Sequence, residues 1–304
     1  MQPSVGKILV TGASGFIGHA LVDAFGKGAI GLTGPHSKTS NHSFGCDLTD
    51  LEAVKELAKK LKEHSITHIV HAAAVTPWSL DPDFSLDIEM AKSVAWLCNK
   101  LNIPQLIFIS GWNVYDMSGK APFGEDTAIQ PTGDYGASKF AVEQFFSQNL
   151  KQTRLLILRT ASIYGVGQVS AGLIPNLVKS SIENHTIAID TVQVKRDYLY
   201  ITDFAQTIKQ IVESRHDESR GVLNIGSGTS QPISTVAETI QDIFKTSYNI
   251  DVAVSYGEAS QQPAVPNNRL DISRAQKDGL LLKTKSLADG LAQYIEWRQH
   301  ENIL

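Results

Sequence analysis

The sequence predicts an α/β protein: a doubly wound parallel sheet with helices on both faces, joined by a smaller interleaved α/β C-terminal lobe. Three observations carry this. Short apolar runs at 8–10, 66–70, 106–109 and 155–158 alternate with amphipathic stretches, the rhythm of buried parallel strands linked by crossover helices. The first run leads into Thr11 Gly12 Ala13 Ser14 Gly15 Phe16 Ile17 Gly18, which reads as strand end, tight turn and helix start. Beyond Tyr164 the rhythm turns irregular and returns only at 201–212 and 222–225, so a second unit is interleaved late in the chain.

In the first unit the glycine turn has a defined chemistry. Gly12 permits the turn, Gly15 lets backbone amides approach a pyrophosphate, and Gly18 allows the helix to pack closely on the strand. Ser14, Phe16 and Ile17 lie at the helix amino end, where N–H groups and the helix dipole favour an anion. This is the dinucleotide-binding arrangement of a Rossmann fold. The expected partition is therefore 1–165 for a dinucleotide-binding domain, with 200–228 returning to it, and 166–304 mainly for a substrate lobe.

The next strand ends in Thr33 Gly34 Pro35 His36 Ser37 Lys38. It lacks the acidic residue that bonds an adenosine ribose hydroxyl, and Ser37 with Lys38 can hold a 2′-phosphate. NADP is therefore expected ahead of NAD. Asp47, followed by Leu48, comes after the third strand and either accepts from the adenine amino group or makes a turn or helix cap. Thr49 or Asp50 caps a helix over 51–61, and a second helix runs over 86–101 before Pro104. The stretch 111–133 is rich in Gly, Pro, Asp and Thr. It should be a loop over the carboxyl edge of the sheet, where ligands bind in open α/β folds.

Composition narrows the partners. The 304 residues, 42% of them hydrophobic, suffice for a large core, and a net charge of −4 offers no basic field for nucleic acid. Cys46 and Cys98 are the only cysteines, too few for a disulfide framework and not spaced as metal ligands, as expected of a reducing, cytoplasmic setting. No apolar run reaches membrane-spanning length, so neither a membrane nor a metal is expected.

Tyr135 and Lys139 stand four apart in Asp134 Tyr135 Gly136 Ala137 Ser138 Lys139, which puts both on one helix face. A neighbouring ammonium stabilises a phenolate, and that brings a phenol into use as an acid near neutral pH. The same spacing also occurs on plain solvated helix faces.

With the glycine turn, Asp47 Leu48, His71 Ala72 Ala73 Ala74 and Tyr135 to Lys139 in order, the chain resembles the extended short-chain dehydrogenase/reductases, specifically the NAD-dependent epimerase/dehydratase family acting on nucleotide sugars. The resemblance covers nearly the whole chain. It extends through Leu158 Arg159, Ile163 Tyr164 Gly165, Ile174 Pro175, Arg196 Asp197 Tyr198, Ile201 Thr202 Asp203, Asn224 Ile225 Gly226 and Leu270 Asp271 Ile272 Ser273. It implies that Tyr135 is the acid/base and that Lys139 tunes it and binds the nicotinamide ribose. Ala72, Ala73 and Ala74 would line the nicotinamide ribose and diphosphate, and Arg196, with Arg269, would reach the substrate diphosphate. It also implies a homodimer built on the helices at 86–101 and 135–150, with Ala141, Phe145 and Phe146 either as apolar contacts for it or simply as core.

Two departures matter. Four residues before Tyr115, where the family carries a Ser or Thr beside the reacting sugar oxygen, this chain has Gly111. Ser110, Asn113 and Thr76 are the candidate replacements, each otherwise an ordinary turn or surface residue. Trp112 and Asn113 stand where sugar dehydratases place Asp and Glu, so no carboxylate is present for elimination of water. Ser162 stands where an Asn commonly meets the substrate phosphate. The expected activity is NAD(P)-dependent reduction of a 4-keto nucleotide diphosphate sugar. A 4-epimerase with tightly held NAD is the alternative, and a cofactor-binding regulatory protein with lost chemistry is the alternative of another class.

Overall fold

The computed structural model describes residues 6–36, 42–169, 172–190, 194–213, 221–257, 267–280 and 284–300. Its main sheet has seven strands: β1 (Lys7–Thr11), β2 (Ala29–Thr33), β3 (Ser43–Gly45), β4 (Ile66–His71), β5 (Gln105–Gly111), β6 (Arg154–Thr160) and, later in the chain, β11 (Gly221–Ile225), in the order β11-β6-β5-β4-β1-β2-β3. From β3 through β6 every pairing is parallel. The chain runs outward from β1 to β3 and then returns to place β4 on the other side of β1. The carboxyl ends of β1 and β4, where Thr11 pairs with His71, therefore lie at the switch point at which such sheets bind ligands.

The expected elements form with small shifts. The helix after the glycine turn is α1 (Phe16–Phe25), and α2 spans Leu51–Leu61. Asp50 is its cap, accepting from the amides of Glu52 and Ala53 at 2.9 and 3.2 Å, an arrangement that contributes about 1 kcal/mol. α3 (Ser85–Leu101) ends at Asn102 in a left-handed conformation, two residues before Pro104. α4 (Gly133–Asn149) turns an unusual face inward: Ser138, Lys139 and Glu143 are buried beside Val142 and Phe146. Buried charge of that kind costs several kcal/mol unless it is paired.

These elements, with β11 as far as Leu223 and the greater part of α6 (Ile201–Glu213), make one compact unit, Met1–Asp116, Ala128–Thr160 and Ala205–Leu223. Its core joins Leu9, Ile30, Leu32, Ile69, Leu106, Phe108 and Ile157 of the sheet to Val54 and Leu57 of α2, Val94 and Leu97 of α3, and Val142 and Phe146 of α4. Phe146 is fully buried against Phe108 and His71. Of the two readings open to it, dimer contact or core, it is core.

The other unit comprises Met117–Thr127, Ala161–Phe204 and Asn224–Leu304. Its named elements are β7 (Ser162–Tyr164), α5 (Leu173–Asn184), β8 (Thr186–Ile189), β9 (Lys195–Arg196), β10 (Tyr198–Tyr200), β12 (Gln231–Pro232), α7 (Ile233–Tyr248), β13 (Ala253–Tyr256), α8 (Ser273–Lys277) and α9 (Leu287–His300). Short two-stranded pairs, β7 with β10, β8 with β13 and β9 with β12, replace a continuous sheet. Polar junctions from the late motifs hold it. Asp197 accepts from the amide and hydroxyl of Ser227 at 2.9 and 2.7 Å, and the Asn224 carboxamide donates to the carbonyls of Phe123 and Asp271 at 3.0 and 3.1 Å.

Candidate functional site

The amino end of α1 is shaped by glycine. Gly12 has φ +68°, and a Cβ on it would stand 2.8 Å from the Ala73 backbone. A Cβ on Gly18 would stand 2.0 Å from the Gly12 carbonyl oxygen, so the helix packs on the turn only with glycine there. Gly15 is the N-cap and makes no side-chain cap, and the first turn carries no acidic residue. The free amides at residues 16–18 are thus open to a phosphate. The cradle fits a dinucleotide diphosphate.

Ala72, Ala73 and Ala74 follow β4, and their path is held from β1. The amides of Ala72 and Ala73 donate to Thr11 Oγ1 at 3.2 and 3.1 Å. With both its lone pairs taken, the Thr11 hydroxyl donates its proton to His71 Nδ1, 2.7 Å away. His71 is buried, and desolvation together with the Lys139 charge pushes it down to about 3, so it stays neutral. Two residues on, the Val75 amide donates to Asp87 Oδ1 at 2.7 Å, while Asp87 Oδ2 accepts from the Ser138 hydroxyl at 2.7 Å. One buried carboxylate of α3 thereby ties the alanine segment to the helix turn that carries Tyr135 and Lys139. Asp87 is a positioning residue that sequence reasoning missed; its signal is an acidic residue on the buried face of a helix.

Lys139 is buried with Nζ 5.5 Å from the centre of the Tyr135 ring and 5.3 Å from that of Phe108. Among the described residues its hydrogen bond goes to the Ile109 carbonyl at 3.4 Å, and no carboxylate pairs with it. Glu143, one turn further along α4, is claimed elsewhere. Arg159 grips it through Nε at 3.1 Å and Nη2 at 2.6 Å, and Ser110 Oγ donates to it at 2.5 Å. The guanidinium of Arg159 also lies 4.6 Å above the Tyr115 ring. Lys139 Nζ is therefore left beside Tyr135 with N–H groups to offer a ligand. The i, i+4, i+8 spacing of 135, 139 and 143 was the available signal for Glu143.

The other expected residues lie as follows. Asp47 accepts from the Thr49 amide and hydroxyl at 2.8 and 2.7 Å through one oxygen; these bonds hold its carboxyl below the usual range. Leu48 is buried. Ser37 and Lys38 lie outside the described residues. Ser110 is buried with its proton committed to Glu143. Thr76 is exposed in a turn with Ser79, and Asn113 sits in a 3-10 turn, Trp112–Val114, directly after β5. In the other unit, Ser162 meets the Asn268 carboxamide at 3.4 Å. Arg196 bonds the Lys195 carbonyl at 2.9 Å, and burial lowers its guanidinium below the usual range. Arg269 Nε is buried without a hydrogen-bond partner among the described residues.

The profile described as NAD dependent epimerase/dehydratase family matches residues 8–226. The chain belongs to that family. The chain is also similar to enzymes along most of their length. The Escherichia coli dTDP-4-dehydro-6-deoxyglucose reductase is 30% identical over 95% of this chain and 96% of its own. A UDP-glucose 4-epimerase of Lactobacillus helveticus is 26% identical over 73% of this chain and 76% of its own. The structure of the Bordetella bronchiseptica enzyme WbmG in complex with NAD and UDP superimposes with a TM-score of 0.83 at 21% identity, covering 99% of this chain and 97% of that one. As a member of the epimerase/dehydratase family, this protein is an enzyme of a fold that the likeness to WbmG also displays. No group of three or more metal-ligating side chains occurs among the described residues, and no described helix is long and apolar enough to cross a membrane.

Proposed function

We propose that this enzyme reduces the 4-keto group of a nucleotide diphosphate sugar at the expense of NADPH. The observation that carries the proposal is the buried Nζ of Lys139 beside the Tyr135 ring, with no carboxylate paired to it among the described residues. When bound, the reduced nicotinamide supplies a hydride to the carbonyl carbon. Tyr135 gives its proton to the carbonyl oxygen as the alcohol forms, and Lys139 stabilises the phenolate left behind until water returns a proton. Lys139 also donates to the ribose hydroxyls, while the amides at the start of α1 hold the diphosphate. Arg196 and Arg269 pair with the substrate diphosphate, a task suited to the guanidinium fork.

The choice of reduction over dehydration rests on Trp112 and Asn113, which offer no carboxylate. The E. coli relative, by its name a reductase of a 4-keto sugar, supports the same choice. NADP is favoured because β2 ends at Thr33 and Gly34 follows, with no acidic residue to repel a 2′-phosphate. The competing reading is a 4-epimerase with resident NAD, favoured by the L. helveticus relative and by the NAD in the WbmG structure. A homodimer and a cytoplasmic setting complete the proposal.

The test is NADPH oxidation with dTDP-4-dehydro-6-deoxyglucose. Turnover is expected in the wild type and a loss of about 10²–10⁴-fold in Tyr135→Phe, with NADPH binding retained. Purified protein that carries NAD and interconverts UDP-glucose and UDP-galactose without added NADPH would replace this reading with the epimerase.

A further inference from the structure

The backbone at Gly111 places no demand for glycine: φ −147° and ψ 166° are extended values that any residue adopts. The backbone conformation by itself would admit a serine or threonine. Among the described residues a single group borders the space: a Cβ built on Gly111 would meet Asn113 Oδ1 at 3.2 Å, and no other described atom beyond the neighbouring residues approaches within 4 Å. The carboxamide of Asn113 thus lies against the place that a hydroxyl side chain on residue 111 would enter.

Asn113 is also held where it is. Its carbonyl accepts from the Thr132 amide at 2.7 Å, and the Gln130 amide donates to the carbonyl of Val114 at 3.2 Å. On the other side it rests on Gly136: a Cβ there would stand 2.5 Å from the Asn113 carbonyl oxygen and 3.2 Å from the Asn113 Cβ. Gly136 immediately follows Tyr135. Only a glycine at that point lets the 112–114 turn press against the helix turn that presents the acid. The rival candidates are committed elsewhere, Ser110 to the buried Glu143 and Thr76 to a surface turn with Ser79.

We infer that the Asn113 carboxamide is the second hydrogen-bonding group on the reacting sugar oxygen, standing in for a hydroxyl on residue 111, and that Gly111 and Gly136 are the two absences of side chain that admit it. The inference rests on the proposed carbonyl chemistry. Oδ1, the atom against residue 111, only accepts, so the donor is Nδ2 of the same carboxamide, brought to the sugar oxygen by rotation about χ2. Its N–H polarises the carbonyl without offering a proton, so Tyr135 remains the sole proton donor, and the bond strengthens as charge develops on oxygen. The amide also reaches further than a serine, which makes the pocket beside residue 111 part of how the sugar ring is seated.

Kinetics of four variants with dTDP-4-dehydro-6-deoxyglucose and NADPH, and with UDP-glucose and NAD, test this. Asn113→Ala and the isosteric Asn113→Asp should each lower kcat about 10²–10³-fold, with NADPH binding measured by fluorescence within about twofold of wild type. Gly111→Ser alone should lower kcat by crowding the amide, whereas Gly111→Ser combined with Asn113→Ala should recover about tenfold or more over Asn113→Ala. A purely structural Asn113 predicts no such rescue. Asn113→Ala retaining activity within about threefold, or a double variant no better than Asn113→Ala, overturns the role of Asn113 alone. A wild type inactive with both substrate pairs overturns the proposed function and the inference together.

Discussion

Ser110 Oγ donates to Glu143 Oε1 at 2.5 Å, onto the same carboxylate oxygen that Arg159 Nε reaches at 3.1 Å. The serine beside the catalytic strand end is thereby part of a buried ion-pair network, and its contribution is to stability. Ser110→Ala should cost about 1–2 kcal/mol in urea unfolding, the worth of one hydrogen bond to a charged group. Its effect on kcat should be far smaller than that of Tyr135→Phe. A loss of kcat comparable to that of Tyr135→Phe with unchanged stability would show that Ser110 touches the substrate.

Glu143 and Arg159 are both almost wholly buried, with side-chain exposures of 2% and 5%. Removing one partner strands the other charge, so Glu143→Met should destabilise by about 3–5 kcal/mol. Glu143→Met combined with Arg159→Met should recover a substantial part of that loss. Equilibrium denaturation of the two singles and the double gives the coupling energy directly.

Gly12→Ala meets two obstacles at once: a left-handed φ of +68° and the Ala73 backbone at 2.8 Å. The conformational part alone costs about 1–2 kcal/mol. The larger expected effect is functional, because displacing Ala73 disturbs the cofactor cradle. Thermal stabilisation by NADPH should be abolished in Gly12→Ala while the protein still unfolds cooperatively.

His71 makes stability depend on pH with a definite sign. Its folded value of about 3 lies below the ordinary 6.5, so the unfolded chain binds the extra proton first. Above about pH 6.5 neither state holds that proton, and the residue adds no slope. As the pH falls from about 6.5 toward 3, stability is lost, by at most about 1.4 kcal/mol per pH unit for one proton. A pH series of urea midpoints should therefore be shallower over that window in His71→Gln than in wild type. Equal slopes would mean that His71 is protonated in the native state.

The sheet, the glycine cradle and the Tyr135–Lys139 pair were legible in the sequence because they depend on local pattern. Apolar runs of strand length, a cap such as Asp50 and a four-residue helical spacing need no knowledge of distant partners. The class of chemistry followed from those residues and from the family resemblance they carry. What the tertiary structure alone decided is how side chains far apart in sequence share a buried space. Thr11 and His71 are sixty residues apart, Asp87 and Ser138 fifty-one, and Ser110 and Glu143 thirty-three. Pattern reading treats Ser110, Asn113 and Thr76 as equal replacements for a hydroxyl at residue 111, since each is a polar residue near a strand end. Packing separates them, because the 110 hydroxyl meets a carboxylate that must be satisfied inside the core, while the space beside Gly111 is bordered by Asn113 Oδ1.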